Sequence, residues 1–204
     1  GELGMEWMMQ KKWWELVAIF CALLPACGYR YAQEAVLDAS ALHGMKKVVV
    51  LPFENLSEEE KAGALVADIF ASELIALKKV QVYERPKVQE FLQLRNIRFP
   101  KVVDRSFARQ LGKIMEVDGV FYGSVTEFLY RLNAPISEQE EPIVGLNARL
   151  LEVRSGRIIW VSTRASSSYS VLSFQRDPLS RVAAAMIGDM LSELFREVPR
   201  APRG

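Results

Sequence analysis

The residues best placed to do chemistry are Leu24-Pro25-Ala26-Cys27-Gly28, at the end of an apolar run. A cysteine behind a small residue, preceded by Leu16–Leu24 and the basic pair Lys11-Lys12, has the anatomy of a secretory signal that ends in an acylated thiol. The expected chemistry is attachment of a diacylglycerol to Cys27 Sγ, cleavage after Ala26, and N-acylation of the new terminus. Cys21 fits less well, because Phe20 would occupy the small-residue position. Pro25 beside the cut and Glu15 at the start of the apolar region depart from the usual pattern. The run is short for a permanent membrane helix, which needs about 20 apolar residues. Met5, Met8 and Met9 are the candidate starts upstream of it.

Acylation removes other thiol chemistry. The chain has 2 cysteines, of which Cys21 leaves with the signal and Cys27 carries lipid. No disulfide, thiolate metal site or cysteine nucleophile is then expected in the mature domain. His43 is the single histidine and lies in a polar lead-in, so a histidine metal site or a Ser-His-Asp triad has nothing to build on. Asp118 and Glu127 lack a nucleophile and base beside them, as do Ser57 and Ser166–Ser168, and catalysis is not expected. With 26 basic and 25 acidic residues the net charge is +1, which offers no basic footprint for nucleic acid. No cofactor and no small-molecule substrate are expected beyond the lipid on Cys27.

Positioning falls to the elements downstream. Residues 27–45 lack a sustained period and are expected to be a lipidated N-terminus and tether, after a signal over 1–26. Residues 46–198 form the expected domain, followed by a tail over 199–204. Lys46–Phe53 is apolar on both faces, which predicts a buried strand ended by Pro52. Ser57-Glu58-Glu59-Glu60 has the S-x-x-E form of a capping box, ahead of a helix through Val66, Phe70 and Leu74. A short strand at Val80–Glu84, a helix opened by Pro86 and a helix capped by Ser106 follow. Gly119–Tyr130, Ile143–Val153 and Arg157–Thr163 read as strands, the last two joined by a turn at Arg154-Ser155-Gly156. Asp177 and Pro178 introduce a helix with apolar residues at steps of three and four from Leu179 to Phe195. The order β-α-β-α-α-β-β-β-α predicts an α/β (α+β-like) domain, a mixed sheet with helices packed on it.

Four blocks carry a family resemblance. Val48–Ser57, Val82–Leu92, Leu111–Glu127 and Arg149–Trp160 resemble, in order, segments of the curli-secretion lipoprotein (CsgG-like) family and cover most of 46–194. The resemblance implies a lipid-anchored envelope protein. In the family each subunit adds two hairpins to a shared membrane barrel. A membrane strand needs about 9–11 residues, so a hairpin needs about 20. The connection Arg131–Pro142 holds two prolines and three glutamates, and Arg164–Arg176 is short and serine-rich. Neither is expected to cross a bilayer.

The expected role is therefore a non-catalytic binding or assembly module in envelope biogenesis or secretion. Its partners are expected to be envelope proteins and the membrane through the lipid, with homo-oligomers open. Gly28 after Cys27, where an aspartate would retain the protein at the inner membrane, points to the periplasmic face of the outer membrane. The alternatives are a curli-type channel subunit and an activator of a peptidoglycan synthase. Phe53, Glu54 and Asn55 leave a buried strand on a loop and form the candidate interaction loop.

Overall fold

The computed structural model describes residues 30–83, 85–96, 104–132, 140–167 and 177–196. The Lys46–Phe53 run supplies β2, Lys47–Val50, whose Val48, Val49 and Val50 are all buried, so both faces of the strand are covered. It lies parallel to β5, Gly119–Leu132, on one side and to β4, Gln81–Tyr83, on the other. β5 pairs antiparallel with β6, Glu140–Glu152, which pairs antiparallel with β7, Arg157–Ser167. The β6–β7 turn is the expected one, with Gly156 at φ 69°, a left-handed backbone that favours glycine.

Two segments depart from expectation. Residues 30–43, expected within a tether, form β1, Arg30–Val36, and α1, Ala39–His43. β1 runs antiparallel to β7 from Arg30 opposite Ser166 to Val36 opposite Trp160. It escapes a period-two reading because a charged residue, Glu34, occupies an inward position. The second is β3, Glu54–Asn55, which pairs parallel with Ser124 and Val125 of β5. The seven-stranded sheet has the order β1-β7-β6-β5-β2-β4, with β3 beside β5.

Helices cover both faces. α2, Ala62–Leu77, and α5, Leu179–Arg196, pack on each other and on one face. Trp160, Phe121, Phe70 and Phe53 form a chain of ring contacts through that layer, with centroids 5.2–6.0 Å apart. α3, Arg85–Leu94, and α4, Arg105–Ile114, cover the other face through Val88, Leu92, Ala108 and Leu111. Both expected caps shift. α2 starts after Lys61 with no side-chain cap, and Asp104 caps α4, its Oδ1 accepting from the Phe107 amide at 2.7 Å. Asp104 is placed one residue ahead of the helix, where a side chain can reach the third helical amide, whereas Ser106 is already inside it. Among the described residues no helix is long and apolar enough to cross a membrane.

Candidate functional site

Cys27 lies outside the described residues. The first described residue, Arg30, lies opposite Ser166 near the end of β7, and β7 in turn lies beside the start of β6 at Ile143 and Val144. The start of β1, the end of β7 and the β5–β6 tip thus share one end of the sheet. The tip reaches furthest, with Leu132 opposite Glu140. Leu132 is 62 % exposed and Tyr31, on β1, 43 %.

The proposed interaction trio is split by the fold. Phe53 is buried against Phe70 and packs in the core. The Asn55 amide is used locally: Nδ2 donates to the carbonyls of Glu59 at 2.7 Å and Glu60 at 3.2 Å, and Oδ1 accepts from the Ser57 amide and hydroxyl. This bonding explains the displaced cap, because Ser57 is held by Asn55 and not by the helix. Glu54 is half-buried, and Leu56 next to the trio is 60 % exposed. The Glu54 backbone belongs to strand β3 and not to a loop.

A cluster that sequence reading missed ties β1 to the domain. Glu34 accepts from the Trp160 indole Nε1 at 2.8 Å and from the Arg164 guanidinium at 2.6 Å. Arg164 also donates to Glu193 of α5, so one guanidinium joins β7 to both β1 and α5. Burial pushes the Glu34 carboxyl above its ordinary range, opposed by the Trp160 and Arg164 bonds. The Arg164 hydrogen bond draws Glu193 below its own. The available signal was spacing: Trp160, Ser162 and Arg164 alternate onto one strand face.

At the opposite end of the sheet, a cleft of about 330 Å³ is lined by Ser40, Met45, Val117, Asp118, Glu152 and Arg154. Its Asp118 carboxylate is engaged structurally, with Oδ2 accepting from the amides of Lys46 and Lys47 at 2.8 and 2.9 Å. Glu152 pairs with Arg154 at 3.8 Å. Among the described residues no group of three or more His, Cys, Asp or Glu is arranged to hold a metal.

Comparison with known proteins places this architecture. The chain is similar in structure to a PelC point-variant dodecamer from Paraburkholderia phytofirmans, at 23 % identity, covering 81 % of this chain and 98 % of that one with a TM-score of 0.59. A second PelC dodecamer from the same organism gives 23 % identity, 81 % and 97 % coverage and a TM-score of 0.56. Lipoprotein GNA1162 from Neisseria meningitidis is more distant, at 19 % identity, 76 % and 99 % coverage and a TM-score of 0.48. At these identities the likeness is one of fold. A search of curated proteins gives no match. The sequence model of the curli production assembly/transport component CsgG matches residues 35–173, beginning inside β1 and running past the end of β7; the chain belongs to the CsgG family.

Proposed function

We propose that this protein is a non-catalytic binding or assembly module of the cell envelope, held by a lipid on Cys27 at the periplasmic face of the outer membrane. Its partners are envelope proteins and other copies of itself. Membership of the CsgG family supports the envelope role. The observation that carries the non-channel reading is the run of the strands. β5 and β6 stay in the domain sheet as far as Leu132 and Glu140, leaving residues 133–139 between them. After β7 only residues 168–176 precede Asp177. Each is too short for a membrane hairpin of about 20 residues.

The test has two arms. Substituting Cys27→Ala should move the protein from the membrane fraction to the soluble periplasm, and unchanged fractionation refutes the lipid anchor. The purified acylated chain should leave planar bilayers without stable conductance.

A channel subunit is the second reading. It is favoured by the dodecameric state of both PelC structures, since ring assembly is what a shared pore requires. Stable single-channel steps from the purified chain would select it over the first reading. A uniform monomer in light scattering would count against self-association in either.

A further inference from the structure

We infer that β1 is a releasable strap: it leaves β7 as one unit, up to Leu37, while the rest of the domain stays folded. With the lipid on Cys27 proposed above, the released strand becomes extra tether; that half rests on the anchor, and the release itself does not. β1 is the outermost strand and pairs with β7 alone among the described strands. None of its side chains from Tyr31 to Val36 is buried. The Tyr31 hydroxyl donates to Gln33 Oε1 of the same strand and so adds nothing to docking. A cavity of about 50 Å³ lies where β1, β7 and α5 meet, lined by Tyr31, Ala32, Arg164, Met186 and Asp189. Detachment therefore returns little apolar surface to water, which is the mark of an element that opens before the core does.

The side-chain hold is concentrated at Glu34, which accepts from Trp160 Nε1 and from Arg164. This clasp opens without stranding a charge. Arg164 keeps Glu193 of α5 as its partner, while the indole and the Glu34 carboxylate pass to water. Docking also carries a cost that release removes. Ser162, opposite Glu34, and Arg164, opposite Ala32, have Oγ and Nε atoms that are buried without a hydrogen-bond partner among the described residues. A buried polar atom left unpaired forfeits the bond that water supplies once the strand is gone.

The strap ends where separate contacts begin. The amides of Leu37 and Asp38 donate to the Ile159 carbonyl at 2.8 and 3.3 Å, Asp38 pairs with Arg157 at 3.3 Å, and Leu42 of α1 is buried in the core. With β1 docked, three residues lead from Cys27 to the fold at Arg30; with β1 released, ten lead from Cys27 to Leu37. Fully extended, these lengths reach about 11 and about 36 Å. The domain thus gains roughly 25 Å of reach from the membrane without unfolding.

The test has two arms, and the first needs no lipid. Residue-resolved hydrogen exchange is measured on the purified chain carrying Cys21→Ser and Cys27→Ser. The β1 amides bonded to β7 should exchange at one common rate, at least about tenfold faster than those between β5 and β6. Glu34→Ala should speed them by a further factor of about ten or more. Gln33 and Thr163 face each other across the two strands and are exposed. Adding Gln33→Cys and Thr163→Cys should slow the oxidised strap to the β5–β6 rate, and reduction should restore its exchange. Equal rates in β1 and β5–β6, a gradient falling from Tyr31 to Val36 as in simple fraying, or rates unmoved by Glu34→Ala each overturn the inference. The second arm places the acylated chain in vesicles with an acceptor dye on lipid and a donor dye at Leu94→Cys, where the native residue is 78 % exposed. Glu34→Ala should lower the energy transfer. Unchanged transfer, with β1 released in the first arm, overturns the tether half alone. Failure of the anchor appears separately, as Cys27→Ala remaining in the membrane fraction.

Discussion

The Trp160 indole donates its Nε1 hydrogen to the Glu34 carboxylate at 2.8 Å, across the pairing of β7 with β1. Trp160 is completely buried, so this bond is the means by which its one polar atom is satisfied. Replacing Glu34 with alanine leaves the indole and a nearly buried Arg164 short of an acceptor. Glu34→Ala should lower unfolding stability by about 2–4 kcal/mol, read as a reduced urea midpoint. Glu34→Gln keeps an acceptor oxygen, and burial already favours the neutral form of Glu34. Its loss should be clearly smaller than that of alanine.

The N-cap of α1 gives a pH dependence with a definite sign. The Asp38 carboxyl is held below its ordinary value, first by the Ser40 hydroxyl at 2.6 Å, then by the Ala41 amide. A lowered folded pKa contributes stability above the unfolded value and loses it as pH falls through the folded one. The urea midpoint should therefore decline below about pH 4, near the ordinary aspartate value. Asp38→Asn should flatten that part of the pH profile, and a profile unchanged from wild type would count against the assignment.

Two glycines should respond oppositely to alanine. A Cβ at Gly123 would meet the Asn147 carbonyl oxygen at 1.9 Å and the Phe53 ring at 2.9 Å, both within the packed sheet. Gly123→Ala should cost more than about 3 kcal/mol or prevent soluble expression. Gly44 has nothing within 4 Å of such an atom and a right-handed backbone. Gly44→Ala should leave the melting temperature unchanged or raise it, worth about 0.4–1 kcal/mol.

The β3 trio separates structural from partner roles. Phe53→Ala should lower stability by about 3–5 kcal/mol through the cavity it leaves. Asn55→Ala should lose about 0.5–1.5 kcal/mol, because the Glu59 and Glu60 carbonyls and the Ser57 amide exchange their Asn55 partner for water. Glu54→Gln should leave urea stability within about 0.5 kcal/mol. An effect of that variant on cellular assembly would point to a partner contact at Glu54.

Sequence patterns worked where one residue type answered one physical demand. Arg154-Ser155-Gly156 needed a left-handed backbone at its glycine, and the hairpin formed there. The apolar steps from Leu179 to Phe195 needed a wide buried face, and α5 supplied it. Patterns failed where a polar side chain did the work of an apolar one. Glu34 faces inward because Trp160 and Arg164 neutralise and bond it, a partnership separated by more than a hundred residues and invisible to any local window. Asn55 drew Ser57 out of the cap position for the same reason. Cys27 lies outside the described residues, and the Glu34–Trp160–Arg164 cluster was hidden together with the strand that carries it.

β1 also has a mechanical meaning. Under the proposed lipidation of Cys27, a pull from the membrane reaches the described fold at the Arg30 end of β1. Its ladder to β7 from Arg30 to Val36 is then loaded in shear, with the hydrogen bonds sharing the strain together. A pull across the strand would instead open them one at a time. Glu34, fastened near the middle of that ladder, acts as a rivet against sliding.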